Sequence, residues 1–241
     1  MSTTRDAFDE YWPTEPWLET YRAAMEASER LTDAGSGWGV GWEGAMIFDI
    51  ADVPAAEQTV ADFPDEVVSA LTDRFHAMDD DRAAEVLAAA PEDRREAVAA
   101  RAESPSEALL AALLDTPVAA VASSTWDELD AELPPLFDAL VTEIEANVVE
   151  DDTVYAYLDL YDGGCREVAT LSPPEERDHG FVISGTYPVW KDLVSADADV
   201  ISLIISGDMT VDGDMQKILQ YSDAAVVLTE IAGELDSRFL F

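Results

Sequence analysis

The chain has almost no cysteine and few basic residues. Cys165 is the single cysteine among 241 residues. That excludes an intramolecular disulfide and argues strongly against a cysteine-built zinc site. Lys191 and Lys217 are the only lysines, and 13 Lys plus Arg face 52 Asp plus Glu. A basic phosphate-contacting surface is disfavoured, so no nucleic-acid partner is expected. Long apolar runs are missing as well. The best stretch, Ala108 to Ala122, is interrupted by Asp115 and Pro117, so no integral membrane segment is expected. The opening MSTTRDAFDE lacks a basic region followed by an apolar one, and the expected location is cytoplasmic.

What the chain does have is acid and enough hydrocarbon for a core. The formal charge is −39, while 48% of residues are hydrophobic. The acids are scattered through apolar patterns and form no single tail, as expected of a halophilic protein in a high-salt cytosol. At molar salt the screening length is about 3 Å, which suppresses mutual repulsion.

Hydrophobic periodicity gives the organisation. Pro16–Thr32 predicts one helix, with Trp17, Tyr21, Ala24, Met25 and Ser28 at helical spacing. GAMIFDI predicts a strand with Met46, Phe48 and Ile50 on one face. From Ala51 to Asp152 the composition turns Ala-, Glu- and Asp-rich with repeated prolines, which predicts an inserted helical region. Within it, Ser104-Pro105-Ser106-Glu107 and Thr125-Trp126-Asp127-Glu128 have capping-box spacing. TVYAYLDLYDGG followed by CREVATL predicts a hairpin, SPPEERD a loop, and GFVISG a further strand. TYPVWKDLV and ADVISLIIS predict two short helices, DMTVDG a strand, and the chain from Asp214 one long helix. This order is α+β with a mostly antiparallel sheet.

Several motifs invite a chemical reading and lose to a structural one. Gly39-Val40-Gly41-Trp42-Glu43-Gly44 spells G-x-G-x-x-G, but a dinucleotide loop follows a strand and opens a helix. Here it follows a helix and opens a strand. Asp208 to Gly213 resembles the start of a calcium loop, yet Leu219 stands where a bidentate Glu is required. His76 and His179 have no partner at ligand spacing. Cys165 sits beside Arg166, which could lower its pKa, but nothing nearby resembles a general base. No catalytic residue, metal ligand or cofactor is assigned, and an enzyme is not expected.

TVYAYLDLYDGGCREV, FVISGTYPVWKDLVSADADVISLIISGDMTVDGDMQKIL and the helix after them resemble the sterol carrier protein 2 (SCP2-like) family. EPWLETYRAAMEASERL and GWEGAMIFDI resemble its first helix and strand. The resemblance implies a five-stranded, mostly antiparallel sheet covered on one face by helices, with an apolar tunnel for fatty-acyl, isoprenoid or sterol-like chains. Residues 1–50 and 153–241 would form this lipid-binding domain, and 51–152 the insertion, which separates two strands the family usually joins directly. Met46, Phe48, Leu158, Phe181, Trp190, Ile201, Ile204, Met209, Met215 and Ile218 would line the site. The expected function is binding and transfer of an apolar lipid. The alternative is an interaction module with a closed cavity, its inserted helices docking a partner protein. Exposed Leu136, Phe137 and Leu140 would mark that alternative.

Overall fold

The computed structural model describes residues 8–99, 101–102, 104–149, 152–171 and 177–241. The chain divides into two compact units. A sheet unit holds Met1–Val53 and Ala146–Leu240, and a helical unit holds Pro54–Glu145 with Phe241.

The sheet unit opens with β1 (Tyr11–Trp12) and α1 (Glu15–Ala27). Thr14 caps α1 by accepting from the Trp17 amide at 3.3 Å, and Pro16 sits in the first turn, where no intrahelical amide bond is lost. A separate helix, α2 (Glu29–Ala34), follows. The single helix expected over 16–32 is therefore broken at Ser28. Its backbone is extended, and its hydroxyl caps α2 by accepting from the Leu31 amide at 3.1 Å. Serine's short hydroxyl satisfies a helix start better than it serves a helix interior.

After the glycine stretch comes β2 (Met46–Ala51). The helical unit then holds α3 (Asp65–His76), α4 (Asp80–Ala89), α5 (Glu92–Ala99), α6 (Pro105–Leu114), α7 (Val121–Ser124) and α8 (Asp127–Asp130). The chain returns through α9 (Pro135–Asn147). The apolar faces of α3 and α6, with Leu71, Phe75, Leu109 and Leu113, are buried. Phe137 packs on Phe63 with ring centroids 6.1 Å apart. Glu132 is also buried here, held by Arg74 and by the Arg82 guanidinium, whose Nε donates at 2.8 Å. Neither expected capping box forms. Ser104 turns its hydroxyl to Asp80 at 2.6 Å, and Thr125 donates to the Ala122 carbonyl. Phe137 and Leu140 are buried and Leu136 is half-buried.

Back in the sheet unit come β3 (Val148–Val149), β4 (Thr153–Tyr161), β5 (Gly164–Leu171) and β6 (Phe181–Thr186). Then follow α10 (Tyr187–Val194), α11 (Val200–Ser206), β7 (Met209–Gly213), α12 (Met215–Gln220), α13 (Ser222–Gly233) and β8 (Arg238–Phe239). The expected SPPEERD loop lies mostly outside the described residues. Five strands form the main sheet in the order β5-β4-β2-β6-β7, with the two-residue β3 also beside β4. Only β2 and β6 run parallel within it; the other neighbours are antiparallel. β1 and β8 form a separate parallel pair. One face of the sheet carries a small cluster of Ala45, Tyr157 and Leu171 with Ile47, Tyr155 and Ala169.

The long helix expected from Asp214 is two helices that meet at Tyr221. Asp214 does cap the first, accepting from the Gln216 amide at 2.9 Å, so Asp208–Asp214 is a strand, turn and cap. Among the described residues no group of His, Cys, Asp and Glu is placed to hold a metal ion. None of the helices described is long and apolar enough to cross a membrane.

Candidate functional site: an apolar cavity

The sheet unit holds a partly open cavity of about 100 Å³. Its floor comes from strand alternation. Met46, Phe48 and Ile50 of β2 reach it, as do Ala156 and Leu160 of β4 and Ile183 of β6. The period of two that puts these residues on one face is the one read from the sequence.

Helices supply the rest of the wall. Trp17, Leu18 and Tyr21 of α1 lie within about one turn and face inward. Two hydrogen bonds hold that face. Trp17 Nε1 donates to Ser237 Oγ at 2.9 Å, and the Tyr21 hydroxyl donates to the Leu228 carbonyl at 2.9 Å. Trp190 of α10 lies over Phe48 with centroids 4.7 Å apart, and its Nε1 donates to the Asp49 carbonyl at 3.0 Å. Val200, Ile201 and Ile204 of α11 form one side, and Ile218, Tyr221, Ala225 and Leu228 of α12 and α13 another.

One end is closed by Leu31, Trp38 and Gly163. Gly163 has φ +80°, and a Cβ there would lie 2.5 Å from the Thr32 carbonyl oxygen. The hairpin turn thus approaches α2 as closely as only glycine permits. Trp38 Nε1 donates to the Gly44 carbonyl at 2.7 Å. The G-x-G-x-x-G stretch serves as the turn that fastens this tryptophan to the wall and then opens β2.

Among the described residues, the wall carries no histidine, cysteine or acid. Its hydroxyls are on Tyr21, Tyr221 and Thr229, and Thr229 donates to the Ala225 carbonyl at 3.2 Å. Burial drives the pKa of Tyr21 up, so its phenol stays neutral. Cys165 is buried beside this wall without being among its lining residues. Burial pushes its thiol up to about 12, and its S–H donates to the Glu167 carbonyl at 3.4 Å. The expected lowering by Arg166 fails because that guanidinium is turned to Asp159, at 2.9 and 2.7 Å, and lies over the Tyr161 ring. His179 Nδ1 bonds the Arg177 carbonyl at 2.7 Å, and His76 ends α3 in the helical unit.

Of the expected lining residues, Met46, Phe48, Trp190, Ile201, Ile204 and Ile218 stand at the wall. Four stand elsewhere. Leu158 is fully buried and is not among the wall residues, although Ala156 and Leu160 of its strand reach the wall. Phe181 packs against Trp38 and Trp42, at 5.3 and 5.9 Å. Met209 is buried over Gly185, whose missing side chain leaves it room. Met215 is exposed at the start of α12. Sequence reasoning missed Trp12, Trp17, Tyr21 and Leu228 as wall residues. The i, i+4 pair Trp17–Tyr21 was the available signal, since a helix that covers a sheet turns such a pair inward.

No curated protein sequence matches the chain significantly. Two solved structures align along most of it. One is the crystal structure of sterol carrier protein 2, at 15% identity and TM-score 0.45, covering 92% of this chain and 97% of that one. The other is the solution structure of a conserved hypothetical protein from Thermus thermophilus, at 15% identity and TM-score 0.47, covering 93% and 90%. Residues 124–226 run from the end of α7 into α13 and include the β4–β5 hairpin and the α10–α11 cover. They match the SCP-2 sterol transfer family, and this part of the chain is SCP2-like.

Proposed function

We propose that the sheet unit binds the hydrocarbon part of an apolar lipid in this cavity and carries it without chemical change. The observation that supports this reading is the chemistry of the wall. The N–H groups of Trp17, Trp38 and Trp190 and the hydroxyls of Tyr21 and Thr229 bond protein atoms. Most of what faces the space, among the described residues, is hydrocarbon and ring surface, which gains by excluding water.

The size of the space adds a condition. At about 100 Å³ the cavity is smaller than the ~150 Å³ that admits benzene in an engineered apolar core. An acyl or isoprenoid chain therefore enters only if the wall moves. The element suited to move is α11, where Val200 alone is buried. An isoprenoid chain is the first ligand to try, because the charge of −39 supports a high-salt setting for the protein. The interaction-module alternative draws no support from the inserted helices, since Phe137 and Leu140 lie inside the helical unit.

The test is titration of the full chain, at molar KCl, with fluorescent fatty-acyl and isoprenoid probes. Saturable binding with a blue shift is expected. Absence of saturable binding for either probe would contradict the proposal.

A further inference from the structure

On three helices, the residue after a wall residue is exposed and apolar. Ile204 lines the cavity and Ile205 is 82% exposed; Ile218 lines it and Leu219 is 57% exposed; Ala225 lines it and Val226 is 36% exposed. Consecutive helical residues point about 100° apart. On α11, α12 and α13, apolar surface therefore runs from the cavity wall round to the outside. Many of the wall residues here are themselves only half-buried: Ile201, Ile204, Tyr221, Ala225, Leu228 and Thr229. This is where the cavity meets the surface.

Charge separates this rim from the rest of the molecule. α11 and α12 together hold 13 residues, VISLIIS and MQKILQ, without one acid and with Lys217 as the only charge. That occurs in a chain with 52 acids and two lysines. Three neighbouring carboxylates are turned onto local donors. Asp199 accepts from the Ser202 amide at 2.8 Å, Asp208 from the Ser206 hydroxyl at 2.6 Å, and Asp214 from the Gln216 amide. All three stay exposed around the rim, as do Asp212 and Asp223.

We propose that this rim docks onto a lipid bilayer with zwitterionic headgroups, so that a hydrocarbon chain passes into the cavity without crossing water. The proposal rests on the lipid-binding reading of the cavity. Helix faces without carboxylates, as on α11 and α12, avoid the cost of desolvating them at the headgroup boundary. With two lysines and 52 acids the chain offers no basic surface to anionic lipid, which leaves a neutral surface as the match. A protein or a second copy on the same rim would cover the opening, whereas a bilayer supplies what the cavity takes.

The experiment uses phosphatidylcholine vesicles and the full chain at molar KCl, with flotation as the readout. The double variant Ile205→Ser/Leu219→Ser removes two exposed side chains and should leave the melting temperature unchanged. Its vesicle affinity should fall about tenfold or more, while its affinity for a soluble fatty-acyl probe stays at the wild-type value. Adding phosphatidylglycerol should not strengthen binding. The proposal falls if the double variant binds vesicles as well as wild type, or if anionic lipid strengthens binding. It also falls if light scattering shows a dimer that the variant loses and vesicles are ignored. If wild type binds the soluble probe but not vesicles, only the rim proposal fails; if it binds neither, the cavity reading fails with it.

Discussion

The amide of Val53 donates to the carbonyl of Asp152 at 2.8 Å, so the two ends of the inserted helical region meet in the sheet unit. Just outside them, Ile50 pairs with Val154 across antiparallel β2 and β4. The insertion thus occupies the place of a hairpin turn. Its compact part, Pro54–Glu145, falls a few residues inside 51–152, because Ala51 still belongs to β2 and Val148–Val149 pair with β4. Replacing residues 54–151 with a short Gly-containing turn should leave a sheet unit that melts cooperatively at high salt. Loop closure becomes cheaper, since its entropy cost grows with loop length. Circular dichroism that shows an unfolded product would mean that the helices complete the main core.

The Trp190–Asp49 hydrogen bond gives a second expectation. Trp190→Phe keeps a ring against Phe48 but removes the donor to the Asp49 carbonyl. The expected loss is about 1 kcal/mol, that of one intramolecular hydrogen bond. Denaturant melts at high salt measure it, and an unchanged midpoint would show that the bond contributes nothing.

Cys165 sets a third. Its thiol is pushed from 9.0 up to about 12, chiefly by burial. The folded protein at mildly alkaline pH should hold roughly a thousandfold less thiolate than the unfolded chain, and alkylation should be correspondingly slow. Because the folded pKa is the higher, the unfolded chain gives up its proton first as pH rises. The stability associated with the neutral thiol is therefore present below pH 9 and is lost between 9 and 12. Cys165→Ala should flatten that part of the stability profile. Fast alkylation of native protein would contradict the burial argument.

Salt sets a fourth. With a charge of −39 the fold should lose structure as KCl falls from molar to dilute levels, because carboxylate repulsion is then less screened. A dichroism spectrum and melting temperature unchanged in dilute buffer would count against high-salt adaptation.

Much of the fold was legible in local periodicity. Met46, Phe48 and Ile50 alternate, and so do Val154, Ala156, Leu158 and Leu160; a period of two leaves one answer for a half-buried strand. The helix breaks were not legible. Ser28 and Tyr221 both sit at positions compatible with a continuing apolar stripe, and only the three-dimensional turn of the chain decides for a cap or a junction. The site was half legible for a related reason. Sequence tells that Leu158 and Met209 lie on apolar strand faces, but a filled core and an open wall need the same residues. Which of them borders empty space depends on long-range packing, as where Met209 fills the room left by the missing side chain of Gly185.

The central claim is that the space bounded by Ile204 is ligand space. Ile204→Trp tests it most directly, through probe affinity and thermal melting measured together at high salt. The larger ring should occupy the cavity, so probe binding should fall by about tenfold or more while the melting temperature holds. A variant destabilised by about 1–3 kcal/mol, in a protein whose wild type binds no probe, would show a filled core and contradict the account.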